Sequence, residues 1–157
     1  MNMQFFYFFF FPILGYLSGS LPFSVWVTRL VKGVDVRAAG SGHATTTNTI
    51  RQAGFGWGAL VGILDVTKGF LPTFLAINYS NNIWVVVLTA AIAVAGHCWP
   101  LFAQFRGGMG IATFAGALLA ANWFSFIIGA GLLLTLVLII RHGARASVLT
   151  GILIAPL

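Results

Sequence analysis

The sequence predicts an all-α, polytopic transmembrane bundle of about six spans with an external N-terminus. Three observations predict it. Only ten of 157 residues are charged, eight Lys or Arg and two Asp or Glu; a water-soluble domain carries about 25 % charged residues, and 6 % is too little polar surface to coat one. Hydrophobic residues make up 59 % of the chain and mean hydropathy is +0.99, which excludes disorder as well. The apolar residues fall in continuous runs, without the alternation of a barrel strand. Lipid offers backbone groups no partner, so such runs cross as helices.

The elements follow in order along one integral membrane domain, residues 1–157. Residues 5–31 form a run long enough to cross, since a span needs about 20 residues. A signal peptide fits poorly, because no basic segment precedes the run and Gly19-Ser20-Leu21-Pro22 leads into more apolar sequence. That stretch bends or tightens the helix. Residues 32–55 hold Lys32, Asp35, Arg37 and Arg51 within a Gly/Ser/Thr/Asn cluster, and read as an aqueous loop or a partly folded interfacial segment. A second span covers about 57–77 and contains Asp65 and Lys68. After a polar turn at 79–82, a third covers about 83–99. The apolar stretch 111–140 is too long for one span, and Ala121-Asn122-Trp123 breaks it into a helical hairpin with a short first arm. Residues 147–157 are apolar but only about half a span.

Basic residues set the orientation. With six crossings, loops 32–55, 102–110 and 141–146 share one side. Seven of the eight Lys/Arg lie in or beside them: Arg29, Lys32, Arg37, Arg51, Arg106, Arg141 and Arg145. The opposite turns, 79–82 and 121–123, have none. The positive-inside bias makes the shared side cytoplasmic, and explains the net charge of +6 without nucleic acid. The single cysteine, Cys98, cannot form an internal disulfide and reads as an ordinary buried thiol.

Several groups are candidates for chemistry. In Ala39-Gly40-Ser41-Gly42-His43-Ala44-Thr45-Thr46-Thr47-Asn48-Thr49-Ile50-Arg51 the glycines let backbone fold closely around a ligand, and hydroxyls and an Arg are suited to phosphate; the plainer reading is a flexible polar loop. Arg106-Gly107-Gly108-Met109-Gly110 precedes a helix, whose N-terminus favours an anion; close helix packing through small residues explains it equally. The P-loop spacing is absent. Asp65 and Lys68, at i,i+3, share a helix face as either a structural or a functional pair. His97 stands at the cytoplasmic end of the third span, either as a proton carrier or as a hydrogen-bonded interfacial residue. His142, between Arg141 and Arg145, reads as a solvated loop residue. No Cys/His spacing suits a metal, and the two acids, Asp35 in a loop and Asp65 in a span, sit in different environments and do not supply a carboxylate pair.

In order and spacing, Gly19-Ser20-Leu21-Pro22-Phe23, Gly33-Val34-Asp35-Val36-Arg37, Gly40-Ser41-Gly42 with Thr47-Asn48 and Arg51, Leu64-Asp65-Val66-Thr67-Lys68-Gly69, Gly96-His97 with Pro100, and Phe105-Arg106-Gly107-Gly108 with Gly110 and Ala112-Thr113 resemble the bacterial acyl-phosphate:glycerol-3-phosphate acyltransferase family. The similarity spans most of residues 12–120. It implies a multi-pass enzyme of the bacterial inner membrane with a cytoplasmic active face and neither cofactor nor metal. Such an enzyme moves a fatty acyl group from acyl phosphate to the sn-1 hydroxyl of glycerol 3-phosphate, giving lysophosphatidic acid for phospholipid synthesis. Its partners are those two substrates and membrane lipid. The resemblance implies Ser41, His97 and Asn48 as catalytic residues. Arg51, Lys68, Gly40, Gly42, Gly107, Gly108, Gly110 and Thr113 are the implied substrate-binding residues. His97 and a substrate phosphate oxygen are alternative bases.

The chain departs from the family pattern at His43 (Asn in the family), Thr45 (Gly), Thr46 (Ala) and Met109 (Lys). Ala144 aligns with a family Ser. Arg141-His142 resembles the start of a C-terminal basic motif but arrives too soon, so the chain is expected to lack its last spans or to have lost an internal segment. Because the losses fall on phosphate-binding positions, two functions stay open: an acyltransferase with altered substrate recognition, and a non-catalytic relative that binds lipid or a partner protein. A small transporter is the third and gains nothing from the motif order.

Overall fold

A computed structural model describes residues 3–154, apart from the side chains of Ala144 and Ile154; the expected correspondence at Ala144 and the last residues of the domain lie outside that description. Eight α-helices follow one another among the described residues: α1 (Met3–Gly19), α2 (Phe23–Lys32), α3 (Thr46–Ala53), α4 (Phe55–Tyr79), α5 (Ile83–Cys98), α6 (Ile111–Ala121), α7 (Trp123–Ile140) and α8 (Gly143–Ile154). Single 3-10 turns occur at Val36–Ala38 and Leu101–Ala103.

Four helical segments are long and apolar enough to cross a bilayer: Met3–Lys32, Phe55–Tyr79, Ile83–Ala103 and Trp123–Ile140. The first is broken between α1 and α2, where Pro22 directly precedes α2. Over the described residues, the other two expected crossings are shorter helices. α6 has 11 residues and α8 has 12, about 16–18 Å of helix against a hydrocarbon core of about 30 Å. The hairpin break falls at Asn122. Its side-chain oxygen accepts from the N–H groups of Phe124 and Ser125 at 3.0 and 3.2 Å, starting α7 before α6 can lengthen. Segment 32–55 is more ordered than a loop, because Thr45 caps α3 by accepting from Asn48 N–H at 3.2 Å.

Glycines set how closely the helices approach. Gly15 and Gly19, at the small-xxx-small spacing, lie against the Thr89 and Ala93 carbonyls of α5, and Gly96 returns the contact against Tyr16. Gly69 and Gly116 do the same between α4 and α6, against the Thr113 and Val66 carbonyls. Gly58 and Gly62 admit Ile50 and Thr46 of α3. These seams leave little room for large apolar side chains inside. The interior is instead rich in hydroxyls: Thr28, Thr49, Thr73 and Thr89 are all fully buried. Each donates to the carbonyl one turn earlier on its own helix, which satisfies the polar atom without a neighbour. Phe5, Phe9, Leu134 and Leu138 point outward and are exposed, as lipid-facing residues are. One apolar cluster, Phe11, Ala76, Val85 and Val86, joins α1, α4 and α5. Another, Val25, Val36 and Ala44, fastens segment 32–55 to α2.

Candidate active site

Loop 39–45 is shaped from within by Asn48. This side chain is fully buried, and its Nδ2 donates to the carbonyls of Val36 (2.7 Å), Ala39 (3.1 Å) and His43 (3.1 Å). Its Oδ1 accepts from Ser41 N–H at 3.4 Å. Gly40 and Gly42 turn the chain at φ +66° and +72°, where a side chain would be strained. A Cβ on Gly40 would also overlap Asn48 Oδ1. Gln52 reinforces the same carbonyls of Val36 and Ala39. Asn48 therefore has its hydrogen-bonding capacity occupied inside the loop, and Ser41 is held at an exposed position.

A second clamp joins this loop to segment 98–110. Arg37 makes a forked ion pair with Asp35, Nε to Oδ1 at 2.9 Å and Nη2 to Oδ2 at 2.7 Å. Its Nη1 donates to the carbonyls of Ala103 (2.7 Å) and Arg106 (3.1 Å). Arg29 adds a second cation to Asp35 at 2.7 Å. The hydrogen bonds from Arg37 hold the Asp35 carboxyl well below the ordinary carboxylate range, against an opposing push from burial. The same carboxylate raises Arg37. Sequence reading placed these residues in a motif but missed the clamp, for which an acid two positions from an Arg was the only signal.

Beneath the loop, α4 contributes Asp65 and Lys68 and α5 contributes His97. All three are buried. Lys68 Nζ lies 2.9 Å from Asp65 Oδ1 and donates to the Leu21 carbonyl at 2.8 Å, the carbonyl freed by the break between α1 and α2. Lys68 is thus committed to an internal ion pair, and Pro22 gives it an acceptor. His97 Nδ1 stands 3.7 Å from the same Asp65 oxygen and is buried without a hydrogen bond among the described residues, as are the hydroxyls of Ser20, Thr46 and Thr113. His97 Nε2 abuts Gly108, which also lies against the Ala44 carbonyl. Backbone hydrogen bonds Ala44 N–H to Gly107 O, Gly107 N–H to Cys98 O and Gly108 N–H to His97 O, each 3.2 Å, lock the glycine segment to α5 and to the loop.

A cavity of about 360 Å³ lies at this convergence, lined by Thr45, Thr46, Thr47, Asp65, His97 and Met109, with Gly110 and Ala115 at its edge. An apolar groove of about 400 Å³ between α6, α7 and α8 meets it: Met109, Gly110, Ile111 and Ala115 line both. The structure therefore gathers His97, Gly107, Gly108 and Gly110 with the loop that Gly40, Gly42 and Asn48 shape. Arg51 is exposed on α3 one turn beyond Thr47. Thr113 is sealed between α4 and α6 and does not line the cavity. Thr46 is a lining residue; sequence reading had it as one of several candidate hydroxyls in segment 39–51 and as a departure from the family pattern.

The family model described as Glycerol-3-phosphate acyltransferase matches residues 9–157. Glycerol-3-phosphate acyltransferase 2 of Thermotoga maritima is 39 % identical over 137 residues, covering 87 % of this chain and 70 % of that protein. Glycerol-3-phosphate acyltransferase of Rubrobacter xylanophilus is 47 % identical over 108 residues, 69 % of this chain and 54 % of that protein. Among solved structures, PlsY (YgiH), an integral membrane glycerol 3-phosphate acyltransferase in its glycerol 3-phosphate form, superposes with a TM-score of 0.85 at 36 % identity. That match covers 92 % of this chain and 72 % of the other.

Proposed function

The chain belongs to the glycerol-3-phosphate acyltransferase family, and from that premise we propose that it transfers a fatty acyl group from acyl phosphate to the sn-1 hydroxyl of glycerol 3-phosphate. The glycerol oxygen bonds to the acyl carbon, the bond from that carbon to the phosphate oxygen breaks, and inorganic phosphate leaves. Lysophosphatidic acid is the product, made for phospholipid synthesis. The observation that carries this reading is the junction at Met109, Gly110, Ile111 and Ala115, where the apolar groove meets the cavity lined by Thr45, Thr46, Thr47, Asp65 and His97. An acyl tail lying in the groove brings its reactive carbon to the cavity that holds His97.

In this reading His97 accepts the hydroxyl proton. The Asp65 carboxylate near Nδ1 favours a hydrogen on that nitrogen and leaves Nε2 to act as base. Lys68 neutralises Asp65 and does not touch substrate. Ser41 and Arg51 meet the phosphate charge from the loop and α3, and Gly107, Gly108 and Gly110 let substrate approach the backbone. The bias of Lys and Arg toward loops 32–55, 102–110 and 141–146 supports a multi-pass protein of the bacterial inner membrane with this site on the cytoplasmic face.

The test is phosphate release by purified protein in lipid nanodiscs. Release from acyl phosphate that requires glycerol 3-phosphate is the expected result. Folded protein with no turnover would replace this reading with a non-catalytic, lipid- or partner-binding one, and release without glycerol 3-phosphate would make the chain a hydrolase.

A further inference from the structure

Arg141 and Arg145 flank the turn between α7 and α8. We infer that together they hold the headgroup of an anionic diacyl phospholipid whose tails lie against the outer faces of those two helices. The distribution of charge leads there first. The whole chain has two acids; Asp35 is paired with Arg29 and Arg37, and Asp65 with Lys68. Of the cations left over, Lys32, Arg51 and Arg106 stand singly, on α2, on α3 and before α6. Arg141 and Arg145 are the pair that falls in one turn. Both are exposed, and neither side chain has an ion pair or hydrogen bond among the described residues. Their counter-ion comes from outside the chain.

The backbone fixes where the two guanidinium groups start. Arg141 closes α7 at φ +54°, with its N–H bonded to the Val137 carbonyl at 2.9 Å. The His142 carbonyl accepts from Ala146 N–H at 3.1 Å, and His142 Nδ1 faces Arg145 N–H at 3.5 Å, so α8 begins at once. Four peptide units span at most about 14 Å, which two long side chains close onto one phosphate group. Beneath each arginine runs an apolar column. Leu134, Leu138 and Arg141 are spaced i, i+4, i+7 along α7, and Arg145, Leu149 and Ile152 repeat that spacing along α8, so each set shares a helix face. All four apolar side chains are exposed. Only 11 % of α7 is buried, against 39 % or 44 % in the other three long apolar segments. Gly129 and Leu133 of α7, with Ser147 and Gly151 of α8, line the apolar groove; the two columns use other positions, so this lipid lies outside the groove. A guanidinium pair above aliphatic side chains at the membrane boundary complements a negative headgroup with two tails. A zwitterionic lipid offers the same tails but brings a cation of its own, so charge decides between them.

The experiment places the full chain in nanodiscs of phosphatidylglycerol and phosphatidylcholine in equal parts, with matched tails and no acyl donor. Lipid that stays with the protein after transfer to detergent is counted by mass spectrometry. Wild type is expected to retain phosphatidylglycerol about ten-fold over phosphatidylcholine, equivalent to about 1.4 kcal/mol. Arg141→Gln and Arg145→Gln each lower that preference, and the double substitution brings it close to parity. Lys32→Gln, which removes an exposed cation elsewhere, keeps the wild-type preference. Salt at about 1 M lowers the preference of wild type, because an exposed ionic contact is screened. Equal retention of the two lipids by wild type, or a preference unchanged in the double variant with folding intact, overturns the inference. A second copy of the chain covering this face would appear as a dimer whose abundance ignores lipid charge and both arginines, and that result overturns it too. Because no turnover occurs, this lipid site and the acyl-transfer reading can each fail alone.

Discussion

Replacing Asn48 tests whether that residue builds the site or performs its chemistry. Asn48→Ala removes two N–H donors shared among three carbonyls and an acceptor for Ser41 N–H. At about 1 kcal/mol net per hydrogen bond, with some cost for carbonyls left dry, the loss is about 2–4 kcal/mol. Asn48→Asp is nearly isosteric and should be worse. A carboxylate cannot donate, and it would face three carbonyl oxygens in a space with no exposure. The assay is thermal unfolding in nanodiscs alongside steady-state turnover. Both variants should unfold at lower temperature than wild type, Asp lowest. Activity should fall with loss of the folded loop, with cooling restoring part of it in Asn48→Ala. An Asn48→Asp protein as stable as wild type but inactive would refute this reasoning and return Asn48 to a catalytic role.

Other perturbations separate the remaining parts. Lys68→Met leaves Asp65 buried without its cation and should cost about 3–5 kcal/mol, whereas the double substitution Asp65→Asn with Lys68→Met should recover much of that; thermal unfolding of the pair gives the answer. Gly116→Ala drives a Cβ into the Val66 carbonyl and should destabilise by about 1–3 kcal/mol, seen as a lower unfolding midpoint without a change in KM. Asp35, held below its ordinary value near 3.8, contributes stability that is present above that pH and lost as the medium is acidified below it. The unfolding midpoint of Asp35→Asn should therefore be lower at neutral pH and depend less on acid. Met109→Lys adds a cation to the lining of the His97 cavity and should lower KM for glycerol 3-phosphate more than it changes kcat.

Much of the architecture was legible because it follows from scarcity. Ten charges cannot solvate 157 residues, and the polar breaks at 79–82 and at Asn122 stand out against apolar sequence. Helix length was harder to read. The apolar run around α6 continues past Ala121, and the boundary is set by Asn122, whose side chain caps α7. α3 was hidden because consecutive threonines are poor helix formers, and its start depends on Thr45 capping the helix. In the site, the Asp65–Lys68 pairing was visible at i,i+3. That it consumes Lys68 was not, since the deciding acceptor is the Leu21 carbonyl, 47 positions away. Asn48 looked catalytic because the pattern names the residue. Its role in shaping the loop exists only once the backbone of 36–43 has turned around it. The Arg37 bonds to Ala103 and Arg106 link positions 66 and 69 residues apart, beyond any local signal.

The most direct test of acyl transfer at the His97 cavity is lysophosphatidic acid formation, followed by mass spectrometry, in wild type, His97→Gln and His142→Gln with folding verified for each. Wild type and His142→Gln should form product at equal rates, and His97→Gln should be slower by about 10²–10⁴-fold. Full activity in His97→Gln would hand the base role to a substrate phosphate oxygen, and absence of product from folded wild type would contradict the account outright.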